Sequence, residues 1–318
     1  MRRVARVVDH LVGAERVSST PQLPPAPTHP AADLSGCWLE RESYARHRLT
    51  PAERRQFADQ GWLMVDDALS EAEVADLTRV LDDAHHQKLQ EDVDPSHPDA
   101  MNRMAVFSPA NRLSNSEVVQ RLLTCPAVFP KIVDILGWNI GIYHAHANVS
   151  PPRTPGDVVR DGQFRAVGDM QQRPPPDEEP THGFHQDAAR VNAELETANN
   201  ITPRLSVKAA FYLNDVSLDN APTWVCPGSH LLTTDEWQLR VPKGGKGQPA
   251  GAIPLLAKRG SVLLFDRRLR HAATANYSDY TRRAYFIGYA CVLARDQDAM
   301  QLPLFAVPDL SVASAPRY

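Results

Sequence analysis

The feature that most constrains this 318-residue chain is a change of pattern after Gly137. Before that residue, apolar side chains recur at helical spacing. After it, the chain consists of short apolar segments separated by Gly, Pro, Asn and Asp, namely NIGIYHAHANV, LSVKAAFYLNDV, APTWVCPGSH, GSVLLFD and RRAYFIGYACVL. Short β-rich segments with turn residues between them are typical of a sandwich or barrel. The sequence therefore predicts a mainly β fold with a helical annex.

Two capping motifs mark the helical annex. TPAE at 50–53 combines an N-cap Thr, a Pro at the first helical position and a Glu at the capping-box position. SEAE at 70–73 repeats the box. The run GWLMVDDAL between the motifs predicts a strand, and residues 115–136 predict a helical stretch broken at Pro126. The second box precedes four residues that share one helical face: Val74, Leu77, Val80 and Leu81.

These patterns predict one domain preceded by an extension. Residues 151–180 are rich in Pro and charged residues and stand just before a His-rich motif, which favours a lid or binding loop. Within the predicted domain, 48–318, the helical part is followed by a β core and a tail. The predicted divisions are a Pro-rich extension at 1–47, a helical part at 48–137, a β core at 138–292 and a tail at 293–318.

Composition excludes several classes of protein. The net charge of −4 does not fit a nucleic-acid-binding surface. No stretch approaches the roughly 18 apolar residues of a membrane span, and the basic N-terminus lacks the apolar region of a secretory signal. The four cysteines are far apart without a CxxC pair, which argues against a zinc ribbon or a disulfide scaffold. We expect a cytoplasmic protein that acts on a small molecule, and the sequence leaves its oligomeric state open.

The chemistry is concentrated in THGFHQDAAR at 181–190. His185 and Asp187 are two residues apart, so on a strand they point to the same face. A third ligand is expected on another strand, and His271, at the end of the segment GSVLLFDRRLR, is the best candidate. Arg282 follows eleven residues later and can bind a carboxylate through two hydrogen bonds. Two His and one Asp match the facial triad of non-haem iron oxygenases, whose open positions bind a 2-oxo acid and dioxygen.

Taken in order, these motifs resemble the phytanoyl-CoA dioxygenase family of iron(II)- and 2-oxoglutarate-dependent oxygenases. The resemblance covers roughly residues 48–292, from the helical opening LTPAERRQFADQGWLMVDDALSEAEVADL through HQD, PGSH and the final His and Arg. It implies that His185, Asp187 and His271 bind iron and that Arg282 binds 2-oxoglutarate. It also implies a double-stranded β-helix, the jelly-roll or cupin-like fold.

Other side chains are candidates for the pocket around this centre. Ala273 departs from the family pattern, which often has a Ser or Thr at this position in contact with 2-oxoglutarate. The resemblance implies that His146 and Asn148, which alternate with His144 on one strand face, look toward 2-oxoglutarate. A buried Lys needs an anionic partner, and the inward-facing Lys208 is expected to find it in substrate or cosubstrate. The candidate substrate-binding residues are Lys208, Trp224 and Arg190.

Two further residues, which lie next to these candidates in sequence, are expected to bind neither metal nor cosubstrate. His230, in the PGSH motif, is interpreted as a turn residue because Gly and Ser favour a tight turn there. Arg283 follows Arg282 on the same strand, so it faces the opposite side and is predicted to be solvated.

The resulting expectation is an iron(II)- and 2-oxoglutarate-dependent dioxygenase that also uses O2. It would hydroxylate an unactivated carbon of a small molecule, in bacterial specialised metabolism. Desaturation, cyclisation and epimerisation begin in the same way and stay open. A non-catalytic cupin-like binding module and a zinc-dependent hydrolase with the same His/Asp/His set are the competing hypotheses, although neither gives a reason for Arg282.

Overall fold

The structure is a computed structural model that describes residues 41–90, 106–107, 116–152, 173, 175–176, 181, 183–187, 204–244 and 246–291. The chain divides into two units, Met1–Ser35 and Gly36–Tyr318, and the described residues all lie in the second. Arg190, the tail from 293 and most of the predicted lid at 151–180 fall outside the described residues. Within those residues, no helix is both long enough and apolar enough to cross a membrane.

The helical annex follows the two predicted capping boxes. The Thr50 hydroxyl accepts a hydrogen bond from the Glu53 amide, and the Glu53 carboxylate accepts one from the Thr50 amide. Ser70 and Glu73 repeat this reciprocal pair, which confirms both predictions. The helices are α1 (Arg41–Arg46), α2 (Pro51–Gln60), α3 (Glu71–Gln90), α4 (Glu117–Leu122), α5 (Phe129–Leu136) and α6 (Thr234–Gln238).

The β core consists of two antiparallel sheets. The larger has the order β1-β7-β4-β9-β3-β2 and the smaller has the order β6-β5-β8. The strands are β1 (Trp62–Val65), β2 (Val106–Phe107), β3 (Ile140–Ser150), β4 (Ser206–Tyr212), β5 (Thr223–Val225), β6 (Ile253–Leu255), β7 (Val262–Asp266), β8 (His271–Ala272) and β9 (Arg282–Cys291). Five strands match the five predicted β segments and β1 matches the predicted GWLMVDDAL strand, whereas β2, β6, β8, α1 and α6 were not predicted.

The large sheet is covered on both faces, which places it between two apolar clusters. Along β4, Val207, Ala209 and Phe211 pack with the helices. Ala210 and Tyr212 point the other way and pack with residues of the small sheet such as Val225. Because side chains alternate along a strand, one set of residues supports the helical annex and the other set lines the space between the sheets. We refer to the second side as the inner face.

The PGSH motif packs against the C-terminal end of α2. The residue that follows α2 is Gly61, whose φ of +81° is accessible mainly to glycine. A Cβ at Gly61 would lie 2.6 Å from Nδ1 of the buried His230. His230 also lies with Nε2 3.0 Å from the Ala58 carbonyl oxygen. The predicted PGSH turn is confirmed by Gly228, with φ of +76°, and by the 3-10 turn at Ser229–Leu231.

This contact predicts the cost of a side chain at Gly61. In Gly61→Ala, an alanine in the left-handed conformation costs about 1–2 kcal/mol. The clash of its Cβ with His230 adds an overpacking penalty of about 1–3 kcal/mol. The free energy of unfolding should fall by the sum of these losses, measured by urea denaturation. Gly251→Ala is the matched control, since Gly251 has a φ of +80° and nothing within 4 Å of an added Cβ. Equal losses in the two variants would show that the contact with His230 contributes nothing.

Candidate metal centre

A short backbone ladder brings the three predicted ligands together. His185 and His271 exchange two backbone hydrogen bonds of 3.0 and 2.9 Å, and the Asp187 amide donates to the Arg267 carbonyl at 2.9 Å. One ligand atom from each of His185, Asp187 and His271 lies within 4.8 Å of the other two. Two segments that are far apart in sequence therefore form one cluster that could hold a metal ion.

Both imidazoles are held by carbonyl oxygens behind them. Nδ1 of His185 lies 3.1 Å from the Gly183 carbonyl oxygen, and Nδ1 of His271 lies 2.8 Å from the Leu269 carbonyl oxygen. Because a carbonyl only accepts, each Nδ1 carries the proton and each Nε2 offers its lone pair. Burial lowers the pKa of His271 to about 3, so its ring is neutral at neutral pH. The contacts with the carbonyl oxygens leave Nε2 of each ring as the potential metal ligand.

The third member of the cluster is an ionised carboxylate. Asp187 Oδ2 lies 3.9 Å from His271 Nε2 and 2.9 Å from the Lys208 ammonium. Burial raises the pKa of Asp187, but the charge and hydrogen bond of Lys208 together with the neighbouring His271 and His185 outweigh this, and the pKa lies well below its usual value. Two imidazoles and one carboxylate form a donor set that suits Fe(II) or Zn(II). Lys208 was predicted to find its anionic partner in a small molecule, and in the structure that partner is Asp187.

Arg282 is a buried cation on the inner face of β9. Its side chain lies over the rings of Tyr212 and Phe286, at 5.5 and 5.9 Å from their centroids. Its NH2 group donates to the Thr223 hydroxyl at 3.4 Å. Within the described residues no carboxylate pairs with Arg282, and its Nε has no hydrogen-bond partner. Burial lowers its pKa from the usual value. A buried charge without a counter-charge is costly, so the geometry fits an anionic ligand.

Comparisons with known proteins decide the family. The sequence profile of the phytanoyl-CoA dioxygenase (PhyH) family matches residues 57–284. The chain belongs to this family. The predicted resemblance to the family is thus confirmed.

Individual relatives are more distant. The mouse phytanoyl-CoA dioxygenase domain-containing protein 1 is 31% identical over 86 residues, which are 24% of this chain and 30% of that protein. The dioxygenase andF of Emericella variicolor is 30% identical over 112 residues, 34% of this chain and 36% of that protein. The matched parts therefore span about a third of the length of these curated relatives.

Solved structures share the fold. EctD from S. alaskensis, crystallised with 2-oxoglutarate and 5-hydroxyectoine, superposes with a TM-score of 0.54 at 19% identity, over 77% of each chain. A non-heme monooxygenase crystallised as the ThoJ–Ni complex has a TM-score of 0.51 at 16% identity, over 78% of this chain and 82% of its own. At these identities the likeness concerns the fold alone.

In this PhyH-family chain, β3 lies beside β9 and presents His144, His146 and Asn148 to the inner face. His146 is paired with Phe286 in the ladder, and the two rings stack with centroids 4.5 Å apart. The rings of His144 and His146 lie 4.7 Å apart. Burial lowers the pKa of His144 to about 4 and that of His146 well below its usual value, so both rings are neutral. Asn148 Oδ1 accepts from the Ser150 hydroxyl at 2.8 Å.

Tyr143 also reaches the inner face, although simple alternation would place it on the other side. The pairing of β3 with β9 shifts between Ile142 and His144, as at a β-bulge. The Tyr143 ring lies over Gly288, where an added Cβ would approach it to 2.6 Å. A Gly inside a long apolar strand marks such a close approach, so Gly288 was the sequence signal that could have revealed Tyr143.

The remaining predicted residues lie at different places around the centre. Trp224, 8% exposed, pairs with Ala272 beside the metal-ligand candidate His271, and the Arg173 guanidinium lies 5.4 Å from its ring. Ala273 offers no hydroxyl, but the Thr223 hydroxyl next to Arg282 was missed by the sequence analysis and accepts from it. Tyr212 OH lies 3.0 Å from the same hydroxyl.

One prediction about the last strand is wrong. Arg283 was expected to be solvated, but its side chain is half-buried and donates to Asp82 of α3 at 2.6 Å. Its direction was predicted correctly, because it faces the helical side while Arg282 faces the sheet interior. The error arose because the docking of α3 against this strand end cannot be read from local sequence.

The turn before His271 is held by a buried ionic group. Asp266, fully buried, accepts hydrogen bonds from the backbone N, Nε and NH2 of Arg268 at 2.9, 2.9 and 2.7 Å, and from Arg204 Nε at 2.9 Å. Burial raises the pKa of Asp266. The hydrogen bonds and the charge of Arg268, together with the charge of Arg204, lower it by more, so the pKa lies below its usual value. This turn carries the Arg267 carbonyl that anchors Asp187. Local sequence indicated only the position of His271 at the end of GSVLLFDRRLR, so the role of Asp266 was not predicted.

We therefore expect Asp266→Asn to damage both stability and metal binding. Breaking a buried ion pair costs about 3–5 kcal/mol, and the loosened turn should weaken Co(II) binding measured by absorption titration. Because the pKa of Asp266 is depressed by folding, its stabilisation is present above the unfolded-state pKa and lost as the pH falls. The variant should accordingly lose less stability on acidification than the wild type does.

Asp134→Asn provides the matched control for this prediction. Asp134 also accepts from an arginine, Arg48 at 2.7 Å, but that arginine is half exposed and belongs to the helical annex. This variant should lose about 1 kcal/mol and bind Co(II) like the wild type. Unchanged Co(II) affinity in Asp266→Asn would show that the turn does not position the centre.

Proposed function

We propose that the protein is an iron(II)- and 2-oxoglutarate-dependent dioxygenase that hydroxylates an unactivated carbon of a small molecule. The observation that carries the proposal is Arg282, a buried cation without a carboxylate partner in the described part of the chain, on the same inner face as Lys208 and its partner Asp187. A metal-binding protein of another class gives no reason for this cation.

In this proposal each residue of the centre has one task. His185, Asp187 and His271 would hold iron through Nε2, a carboxylate oxygen and Nε2. This set would leave coordination positions open for 2-oxoglutarate and dioxygen. Arg282 binds the distant C5 carboxylate of 2-oxoglutarate, and the Thr223 hydroxyl takes the place of the hydroxyl that Ala273 lacks. The planar guanidinium matches a carboxylate with two parallel hydrogen bonds.

When bound, iron and 2-oxoglutarate supply the oxidation, in which dioxygen converts 2-oxoglutarate to succinate and CO2 and one oxygen atom goes to the substrate carbon. The protein binds, orients and excludes water. His146 and Asn148 would line the cosubstrate site on the β3 side. Because the His144 and His146 rings are neutral, they do not change the net charge that Arg282 offers to its ligand. Trp224, Lys208 and Arg190 stay our candidates for the substrate side.

The proposed architecture is the double-stranded β-helix. Its support is the apolar cluster shared by both sheets and the likeness to EctD and ThoJ in fold. Crystallised EctD holds a hydroxylated small molecule, which is compatible with a small-molecule substrate for this chain. We further propose a cytoplasmic role in bacterial specialised metabolism, in keeping with the composition of the sequence.

The metal assignment predicts the behaviour of single-ligand variants. His185→Ala, Asp187→Ala and His271→Ala should each abolish substrate-free consumption of 2-oxoglutarate and lower Fe(II) affinity strongly under anaerobic conditions, because each removes one of three ligands. His230→Ala is the control, since His230 is buried and lies in the PGSH turn outside the cluster. It should lose stability but keep the metal. A variant of the triad that binds iron and turns over normally would remove its residue from the centre.

Measurements of metal binding and of 2-oxoglutarate consumption also separate the competing functions. A cupin-like binding module would bind metal without consuming 2-oxoglutarate. A zinc hydrolase would retain zinc rather than iron after anaerobic reconstitution, and it would show no charge-transfer band on addition of 2-oxoglutarate. Either result would overturn the proposed function.

The cosubstrate assignment predicts a graded response at Arg282. A charge-assisted hydrogen bond contributes about 1.5–3 kcal/mol, so Arg282→Ala should weaken 2-oxoglutarate binding by roughly tenfold to several hundredfold. Arg282→Lys should weaken it less, because a point charge replaces the planar fork. The measurement is anaerobic titration of the iron(II) protein, followed by its metal-to-ligand charge-transfer band.

Arg283→Ala is the control for this titration. It removes the ion pair with Asp82 and should therefore cost some stability, whereas 2-oxoglutarate affinity should stay within about twofold of wild type. If Arg283→Ala weakens the titration and Arg282→Ala does not, the cosubstrate assignment is wrong.

A further inference from the structure

Lys208 is buried on the inner face of the central strand β4. It is 7% exposed and stands between Phe265 of β7 and Gly288 of β9 in the sheet. Burying an ammonium among apolar neighbours is costly unless an anion pairs with it. Its pair is Asp187, whose Oδ2 lies 2.9 Å from Nζ. The chain therefore places a charge in its interior to meet one carboxylate.

This contact joins two parts of the fold that the backbone does not connect locally. Asp187 stands on the ladder with Arg267, which fixes its backbone through one hydrogen bond. The ladder does not fix the rotation of the carboxylate about the side-chain bonds. Lys208 reaches Asp187 from β4 and contacts Oδ2, the same oxygen that lies 3.9 Å from His271 Nε2. The ammonium thus holds the carboxylate on the side of the imidazoles.

We propose that Lys208 is a positioning residue, which holds the Asp187 carboxylate toward His185 and His271 so that the three donors are arranged before metal binds. The inference rests on the proposed function and assigns Lys208 a task within the centre. A carboxylate has about four acceptor sites, so an ammonium contact does not by itself prevent the carboxylate from binding a metal ion. Fixing the side chain in advance removes the cost of ordering it when metal binds.

An opposing effect makes the test decisive. The positive charge of Lys208 also repels a divalent cation, so its removal would tighten metal binding if repulsion were the larger effect. Groups that orient a metal ligand typically change metal affinity by about 10- to 100-fold. The sign of the change in affinity on removing Lys208 therefore shows which effect is larger, and our inference requires weaker binding.

The experiment compares two buried lysines. Lys131 resembles Lys208: it is 7% exposed and its Nζ lies 2.7 Å from a carboxylate oxygen of Glu53, but the pair belongs to the helical annex. Lys208→Met and Lys131→Met should lower the free energy of unfolding to a similar extent. In anaerobic absorption titrations with Co(II), only Lys208→Met should bind more weakly, by about 10- to 100-fold.

Two conservative variants keep the inference testable if the Met variant does not fold. Lys208→Arg retains charge and donors, and should recover Co(II) affinity to within several-fold of wild type. Lys208→Gln retains a donor without the charge, and should bind with intermediate affinity. If Lys208→Gln or Lys208→Met binds Co(II) as tightly as wild type or more tightly, the positioning role is overturned. Failure of the wild-type protein to bind Co(II) would instead overturn the metal centre itself, and with it the proposed function.

Discussion

The centre depends on one backbone ladder, the pairing of residues 185–187 with residues 267–271. Its three hydrogen bonds bring a loop segment against the strand end that carries His271. The carbonyl oxygens of Gly183 and Leu269 in the same segments accept hydrogen bonds from Nδ1 of the two imidazoles. The backbone thus determines both the spacing of the imidazoles and the nitrogen atoms that they present. The two His side chains and Asp187, which is paired with Lys208, complete the donor set.

The charged groups of the interior follow from this arrangement. Asp187, Asp266 and Arg282 are all largely removed from water, which is costly for a charged group. The partners that offset this cost differ among the three. Asp187 is paired across the sheet with Lys208, and Asp266 is paired within its own turn with Arg268. Arg282 has aromatic rings and a hydroxyl around it, but no anion in the described part of the protein. Arg282 is thus the charge that our proposal leaves for the anionic cosubstrate.

Local sequence predicted much of this fold because local forces determine it. The capping boxes at Thr50 and Ser70 depend on residues three apart, and the alternation of His144, His146 and Asn148 follows from strand geometry. The resemblance to the family supplied the ligand set and its partner arginine. Four of the features that escaped prediction depend on contacts between distant segments. They are the Tyr143 bulge, the Asp266 turn, the pairing of Lys208 with Asp187 and the docking of Arg283 on Asp82.

The two-sided burial of the large sheet limits how this scaffold can be altered in directed evolution. In β4 and β9, adjacent residues belong to different apolar clusters, so inserting one residue would exchange the two faces. Lys208 and Arg282 would then point into the helical annex, and Val207 and Arg283 would point into the centre. A mutant library aimed at new substrates should therefore vary alternate inward-facing positions and keep strand lengths constant. Changes of length belong in the connections between strands, where no side-chain register is at stake.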